Sequence, residues 1–157
     1  AIVTLGYDRA SVGHPLEGSG YLVPRGQGGP ITGCTWSSSK WPNRAPENTA
    51  LMRVFMGHAG SDDEDLEHAD EAMAASADQA ISGLLKIASE PRFYRVYRWR
   101  RAMPQYEVGH LKKLERIDQS LKNHPGLILA GASYRGVGIP DCIHQGEEAA
   151  KKALGYL

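Results

Sequence analysis

The first sixty positions carry short apolar runs separated by turns rich in Gly and Pro. Runs of this length, several of them alternating, predict β-strands, and short strands joined by turns favour antiparallel pairing. The predicted strands are Ile2–Leu5, Gly20–Val23, Ile31–Trp36 and Ala50–Met56, with a fifth, aromatic strand at Phe93–Trp99. The pattern therefore predicts an antiparallel sheet.

Helical spacing of apolar residues marks three later segments. The first is expected to begin at Ser61, whose spacing from Glu64 predicts a capping box. It fits either one helix or two helices that meet near residues 75–76. Its apolar stripe is Leu66, Met73, Ala77, Ile81, Leu84 and Leu85. Residues 109–122 and 140–154 predict two further helices. The apolar face of the former is Leu111, Leu114, Ile117 and Leu121.

The last predicted helix follows a short strand and a glycine-rich turn. Residues 127–130 are apolar and predict a buried strand, and Pro140 and Asp141 suit the first turn of a helix. Gly136 and Gly138 would let the backbone approach a flat ligand closely, in conformations that other residues avoid. A strand that leads to free N–H groups at a helix N-terminus can bind an anion. Spacing alone leaves a strand–turn–helix without a ligand equally open.

Composition narrows the function classes. The 157 residues fit one domain, and 18 Lys and Arg balance 18 Asp and Glu, which argues against a general nucleic-acid or acidic-membrane binder. No apolar run is long enough to span a bilayer. Cys34 and Cys142 lack metal-ligand spacing and are expected to be reduced thiols in a cytoplasmic protein, with peripheral attachment to a membrane left open. The acidic residues 62–65 suit a helix start, so no metal site is predicted.

Three sequence blocks carry a resemblance to a known family. GASYRGVGIPDCI at residues 131–143 closely resembles the C-terminal flavin-binding signature of the protoporphyrinogen/coproporphyrinogen oxidases, in the flavin amine oxidase superfamily. YRWRRAMPQYEVGH at 97–110 is similar to that family's tryptophan and Pro-Gln-Tyr-x-x-Gly-His run. GYLVP and ITGCTWSSSKWP, within residues 20–42, resemble its mid-chain strands. The resemblance covers about residues 12–153.

The resemblance implies an α+β fold in two parts. Residues 1–123 would form the antiparallel sheet of a substrate domain with flanking helices, and residues 124–157 the terminal strand and helix of an FAD-binding domain. The G-x-G-x-x-G motif with which family members bind the ADP half of FAD does not occur in this sequence. We therefore expect the C-terminal part of a larger enzyme, with the missing N-terminal half as its partner. The isolated part is expected to be inactive and to associate with other copies.

The resemblance also implies an activity. The parent enzyme would oxidise protoporphyrinogen IX or coproporphyrinogen III to the porphyrin in haem biosynthesis, with FAD as cofactor and oxygen as acceptor. The implied flavin contacts are Trp99, Val137, Gly138 and Ile139. Weaker candidates for substrate binding are Arg98, Arg100 and Tyr106, and no catalytic residue is assigned.

Each candidate has a structural alternative. The arginines between residues 92 and 101 suit a bidentate contact with a propionate, but they also suit a solvated strand edge. The Tyr106 hydroxyl could line a cavity or make an internal hydrogen bond, and His110 fits a side chain that is satisfied by backbone.

Two other functions remain open at this point. One is a flavin-dependent amine oxidase, although no paired aromatic cage for an amine is found in the sequence. The other is a binding module without redox chemistry. A yellow colour, alone or with FAD, would favour either flavoenzyme over the binding module.

Overall fold

The chain forms two compact units, Ala1–Arg100 and Arg101–Leu157. The computed structural model describes residues 1–24, 26–27, 29–57, 66–100 and 102–155. The predicted capping box of Ser61 and Glu64 and the acidic residues 62–65 lie outside the described residues. The assignment of residues 1–123 and 124–157 to two domains of a larger enzyme stays a prediction.

A five-stranded antiparallel sheet dominates the first unit, which confirms that prediction. Its strands are β1 (Ile2–Asp8), β2 (Gly20–Leu22), β3 (Ile31–Trp36), β4 (Thr49–Met56) and β5 (Phe93–Tyr97). Their spatial order is β2-β3-β4-β1-β5, so β1 and β4 form the centre. Both outer strands end earlier than predicted, at Leu22 and Tyr97. A short helix, α1 (Ser37–Lys40), follows β3.

One face of the sheet is buried against a single long helix, α2 (Asp70–Leu85). The buried side chains are Val3, Leu5 and Tyr7 of β1, Ala50, Met52 and Val54 of β4, and Met73, Ala77, Ile81 and Leu85 of α2. The alternate side chains of each strand and the helically spaced apolar side chains of α2 thus pack together in one core. The helix continues through residues 75–76 without a break. It ends where Lys86 adopts a left-handed conformation and its N–H donates to the Ser82 carbonyl.

Leu84 departs from the predicted apolar stripe, since 59% of it is exposed. It borders an open cavity of about 490 Å³ together with Tyr21, Ile31 and Ala80. Strand β2 is three residues long on this side of the sheet, so it leaves the end of the helical stripe partly uncovered.

The second unit consists of two helices and the turns around them. These are α3 (His110–Leu121) and α4 (Ile139–Leu154), which confirm the predicted helices to within about one residue. Within the described part of this unit, Leu114 is the one hydrophobic side chain that is buried. Leu111, predicted on the apolar face, is 72% exposed. No helix among the described residues is long and apolar enough to cross a membrane.

The predicted buried strand at residues 127–130 is not formed in this structure. These residues are not in a strand, and the Leu127 N–H donates to the His124 carbonyl at 3.1 Å, as in a turn. Leu127 and Leu129 are 54% and 38% exposed. A strand needs a neighbour that accepts and donates its backbone hydrogen bonds, and the described residues of this unit supply none.

Candidate functional site

The glycine-rich turn ends directly at the start of α4. Gly131 and Gly136 have φ angles of 123° and 133°, a region that favours glycine strongly. Gly138 has φ −67° and ψ 147°, which any residue adopts. The expectation of a special glycine conformation is therefore wrong at Gly138, whereas the backbone of Gly136, like that of Gly131, favours glycine.

Asp141 fills the space that side chains at these two glycines would take. A Cβ at Gly136 would lie 2.5 Å from Asp141 Oδ2, and a Cβ at Gly138 would lie 2.9 Å from the same oxygen. The side chain of Asp141 thus folds back over the turn from the first turn of α4. A carboxylate is stabilised there by the positive end of the helix dipole.

The start of α4 leaves hydrogen-bond donors without partners in the described residues. No side chain caps the helix at Gly138, and the first intrahelical bond there runs from the Cys142 N–H to the Gly138 carbonyl at 3.0 Å. Gln145 Oε1 accepts from the Gly131 N–H at 3.3 Å, while Gln145 Nε2 is buried without a described partner. Such donors suit a ligand that presents carbonyl or anionic oxygens.

Tyr106, four residues before α3, and His110, the first residue of α3, both bind this turn. The Tyr106 hydroxyl donates to the Ala132 carbonyl at 2.5 Å and accepts from the Gly136 N–H at 2.9 Å. Its ring is stacked on the His110 ring, with centroids 4.0 Å apart and an angle of 7°. His110 Nε2 lies 2.7 Å from the Tyr134 carbonyl oxygen. Because a carbonyl only accepts, Nε2 carries the hydrogen.

From the sequence, Tyr106 is predicted as a substrate contact, not as a support of the turn, and no site role is assigned to His110. Asp141 was read only as a helix start, and Gln145 was not singled out. Tyr106 lies outside both the predicted helix and α3, so helical spacing does not relate it to His110. Neither the stacking of the two rings nor their target, the turn near Gly136, could be inferred from the sequence pattern.

The predicted flavin contacts fall in both units. Val137 and Ile139, at the end of the turn, are 46% and 77% exposed, and Gly138 lies between them. Trp99 belongs to the first unit, where it follows β5 and is 62% exposed. Each of the three side chains therefore keeps apolar surface that the described residues do not cover.

The two candidate arginines make ion pairs within the first unit. Arg98 pairs with Asp70 at 2.6 Å and donates to the carbonyls of Leu66 and His68, at 2.8 and 2.6 Å. Arg100 pairs with Glu67, and the hydrogen bond from its guanidinium holds the pKa of the Glu67 carboxyl below its ordinary value. Part of the positive charge on each arginine is thus already compensated. Among the described residues, no three His, Cys, Asp or Glu side chains cluster as metal ligands would.

Comparisons with known proteins cover almost the whole chain. The model of the family described as flavin containing amine oxidoreductase matches residues 1–154. The chain is 39% identical to coproporphyrinogen III oxidase of Bacillus subtilis (strain 168), over 100% of this chain and 33% of that protein. It is 34% identical to protoporphyrinogen oxidase of Homo sapiens, over 99% of this chain and 33% of that protein. The chain thus spans about a third of the length of these relatives.

A solved structure agrees in fold. The crystal structure of an Exiguobacterium sp. 255-15 protein assigned as a protoporphyrinogen oxidase superposes with a TM-score of 0.81 at 31% identity. The match covers 98% of this chain and 34% of that one.

Proposed function

Because this chain belongs to the flavin containing amine oxidoreductase family, we propose that it is the C-terminal part of an FAD-dependent porphyrinogen oxidase of haem biosynthesis. Its substrate would be coproporphyrinogen III or protoporphyrinogen IX, and oxygen would be the acceptor. The observation that carries the proposal is similarity over the full chain to oxidases of both porphyrinogens, at 39% and 34% identity.

The residues at the turn fit a flavin, as judged from their donors. An uncapped helix start and the unpartnered Gln145 Nε2 would meet acceptor atoms on a flat ring system. The backbone of Val137, Gly138 and Ile139 would contact the ring, and the exposed face of Trp99 would add an apolar contact. The Asp141 carboxylate opposes further negative charge at this point, so it would help to set how readily the bound group accepts electrons.

The chemistry divides between cofactor and protein. When bound, FAD supplies the acceptor for the hydride equivalents that leave the porphyrinogen. The chain's own contribution is to orient the reactants and to hold fixed dipoles near the site. Arg98 and Arg100 are proposed to bind substrate carboxylates, because a planar guanidinium matches the two oxygens of a carboxylate. A cytoplasmic location, with peripheral membrane attachment left open, stays a prediction.

The natural full-length protein that contains this chain tests the proposal. We expect the purified protein to be yellow, to release FAD on denaturation and to convert a porphyrinogen to a fluorescent porphyrin with oxygen uptake. Both porphyrinogens are compared as substrates. Benzylamine is tested as an amine substrate, and its oxidation is followed by the hydrogen peroxide that is released. Turnover of the amine alone would favour an amine oxidase. A colourless protein that takes up no FAD would leave only the binding module.

A further inference from the structure

The two most specific sequence blocks meet at one place in the second unit. Tyr106 and His110 come from the block at 97–110, and their bonds reach three alternate residues of the block at 131–143. Those three residues are Ala132, Tyr134 and Gly136. The anchors therefore span the turn and end one residue before Val137.

We infer that Tyr106 and His110 are positioning residues that shape the turn so that it presents the backbone of residues 137–139 to the flavin. The inference rests on the proposed function and adds to it a role that neither side chain would perform by touching the cofactor. The Tyr106 hydroxyl donates its one hydrogen to Ala132 and accepts from Gly136. Its donor is therefore committed to the turn, which favours a positioning role over the substrate contact expected from the sequence.

A glycine-rich turn needs such a device. Ordering a backbone residue costs conformational entropy, and glycine loses more freedom than other residues. If the turn were mobile, that cost would be subtracted from flavin affinity at the moment of binding. Tyr106 and His110 stack on each other and order the turn when the chain folds. The entropy of ordering the turn is then lost on folding and does not weaken flavin binding.

The other contacts of the turn are weaker candidates for this task. Arg135 pairs with Asp118 at 2.5 Å, but 53% of each side chain is exposed, and exposed pairs contribute little. The bond from Gly131 to Gln145 is long, at 3.3 Å. The stacked pair thus supplies the three shortest hydrogen bonds from side chains to the backbone of residues 131–136.

The test uses the full-length flavoprotein and three matched variants. Tyr106→Phe removes the hydroxyl and keeps the ring stack, while His110→Gln keeps a donor and loses the ring. Tyr97→Phe is the control, because Tyr97 is 54% exposed and its hydroxyl has no hydrogen bond to a described residue. The readouts are the FAD dissociation constant, the visible flavin spectrum and the melting temperature of the flavin-free protein.

We expect Tyr106→Phe to weaken FAD binding by about tenfold, equivalent to about 1.4 kcal/mol, and to shift the flavin spectrum. His110→Gln should weaken binding as well, and Tyr97→Phe should match the unaltered protein. In the 157-residue chain without flavin, amide exchange at Gly136 should be about tenfold faster in Tyr106→Phe.

Each contrary result has a distinct meaning. If the unaltered protein binds FAD and both Tyr106→Phe and His110→Gln bind it equally well with the same spectrum, the positioning role is wrong while the proposed function stands. If the unaltered protein takes up no FAD, the proposed function is wrong and the cofactor role of the pair falls with it. Should Tyr106→Phe fail to fold, the FAD affinity of His110→Gln decides.

Discussion

The hydroxyl of Tyr7, at the centre of the sheet, donates to Asp78 Oδ1 of α2 at 2.6 Å. Tyr7 is completely buried, and the Ser82 hydroxyl donates to the same carboxylate oxygen at 3.0 Å. Burial and this hydrogen bond raise the pKa of the Tyr7 hydroxyl far above its ordinary value. The contact is a polar link between sheet and helix inside an otherwise apolar core.

Tyr7→Phe should destabilise the first unit by about 1–3 kcal/mol, because it leaves the Asp78 carboxylate with one fewer donor beside a buried core. The measurement is urea unfolding followed by tryptophan fluorescence. Tyr97→Phe controls for the chemical change alone, since that hydroxyl has no described partner. Equal unfolding midpoints for the two variants would show that water replaces the tyrosine donor at no cost.

Stability should fall at alkaline pH because of Cys34. Burial raises the pKa of the Cys34 thiol from 9.0 to about 12, so above pH 9 the unfolded chain loses a proton that the folded chain keeps. The raised pKa stabilises the folded state fully below pH 9, the pKa of the thiol in the unfolded chain. This stabilisation is lost as the pH rises towards 12, the pKa of the thiol in the folded chain. The free energy of unfolding should therefore fall by up to about 1.4 kcal/mol per pH unit in this window.

Cys34→Ala separates the thiol from other alkaline effects. Between pH 9 and 10 this variant should lose most of the slope, while Cys142→Ala in the second unit should keep it. Burial also raises the pKa of the Tyr21 hydroxyl to about 12, so part of the slope above pH 10 should survive in every variant. An unchanged slope in Cys34→Ala would mean that the thiol ionises equally in both states.

Gly138→Val separates cofactor binding from folding in the full-length protein. Any residue can adopt the backbone conformation of Gly138. A Cβ there would come closer than 3 Å to Asp141 Oδ2 alone, which is the end of a flexible side chain, and its other contacts would be at ordinary distances. We expect the melting temperature to be kept and bound flavin to be lost, because the added side chain would occupy space next to the ring. Gly136→Ala should lower both, since alanine at φ 133° is strained. Normal flavin content in Gly138→Val would remove this glycine from the site.

The isolated 157-residue chain should bind FAD weakly or not at all. Its sequence has no G-x-G-x-x-G motif, and that motif anchors the pyrophosphate and adenosine half of a dinucleotide. Fluorescence quenching of FAD measures the affinity, with FMN as a comparison that lacks the adenosine half. Sub-micromolar binding of FAD would show that the turn and its neighbours dominate recognition.

Self-association of the isolated chain should run through its second unit. Several large apolar side chains of this unit are more than half exposed, namely Val108, Leu111, Leu127, Ile139, Ile143 and Leu154. Exposed apolar surface on this scale favours association. Light scattering at tens of micromolar should show a dimer or larger species, and Ile143→Glu should shift it towards monomer. A monomer in the unaltered chain at that concentration would contradict this.

The elements of the first unit could be predicted from the sequence because each one has its own clear pattern of apolar residues. Alternation in β1 and β4 and helical spacing in α2 each define one buried face, and the two faces cover each other within the same unit. The apolar run at residues 127–130 carries a similar signal but has no described strand beside it. A pattern shows that a face is apolar, and it does not show whether the chain supplies the partner.

The sequence pattern predicted where the glycine-rich turn lies, but it did not predict the contacts that hold the turn. Glycine spacing marks where the backbone departs from regular structure, and it identified Gly136 correctly. It also suggested Gly138, whose conformation is ordinary. The anchoring by Tyr106 depends on how α3 meets the turn 26 to 30 residues later, and such a relation is set by tertiary packing.

The strand order β2-β3-β4-β1-β5 also determines where this sheet could grow. Its two outer strands are the ones that a foreign strand would have to join. One is three residues long and is followed by Pro24, which has no N–H to offer. The other is five residues long and carries Arg95, and a charged side chain on an edge strand opposes pairing with a copy of the same strand. These features of the two outer strands oppose edge-to-edge pairing of the first unit with another copy.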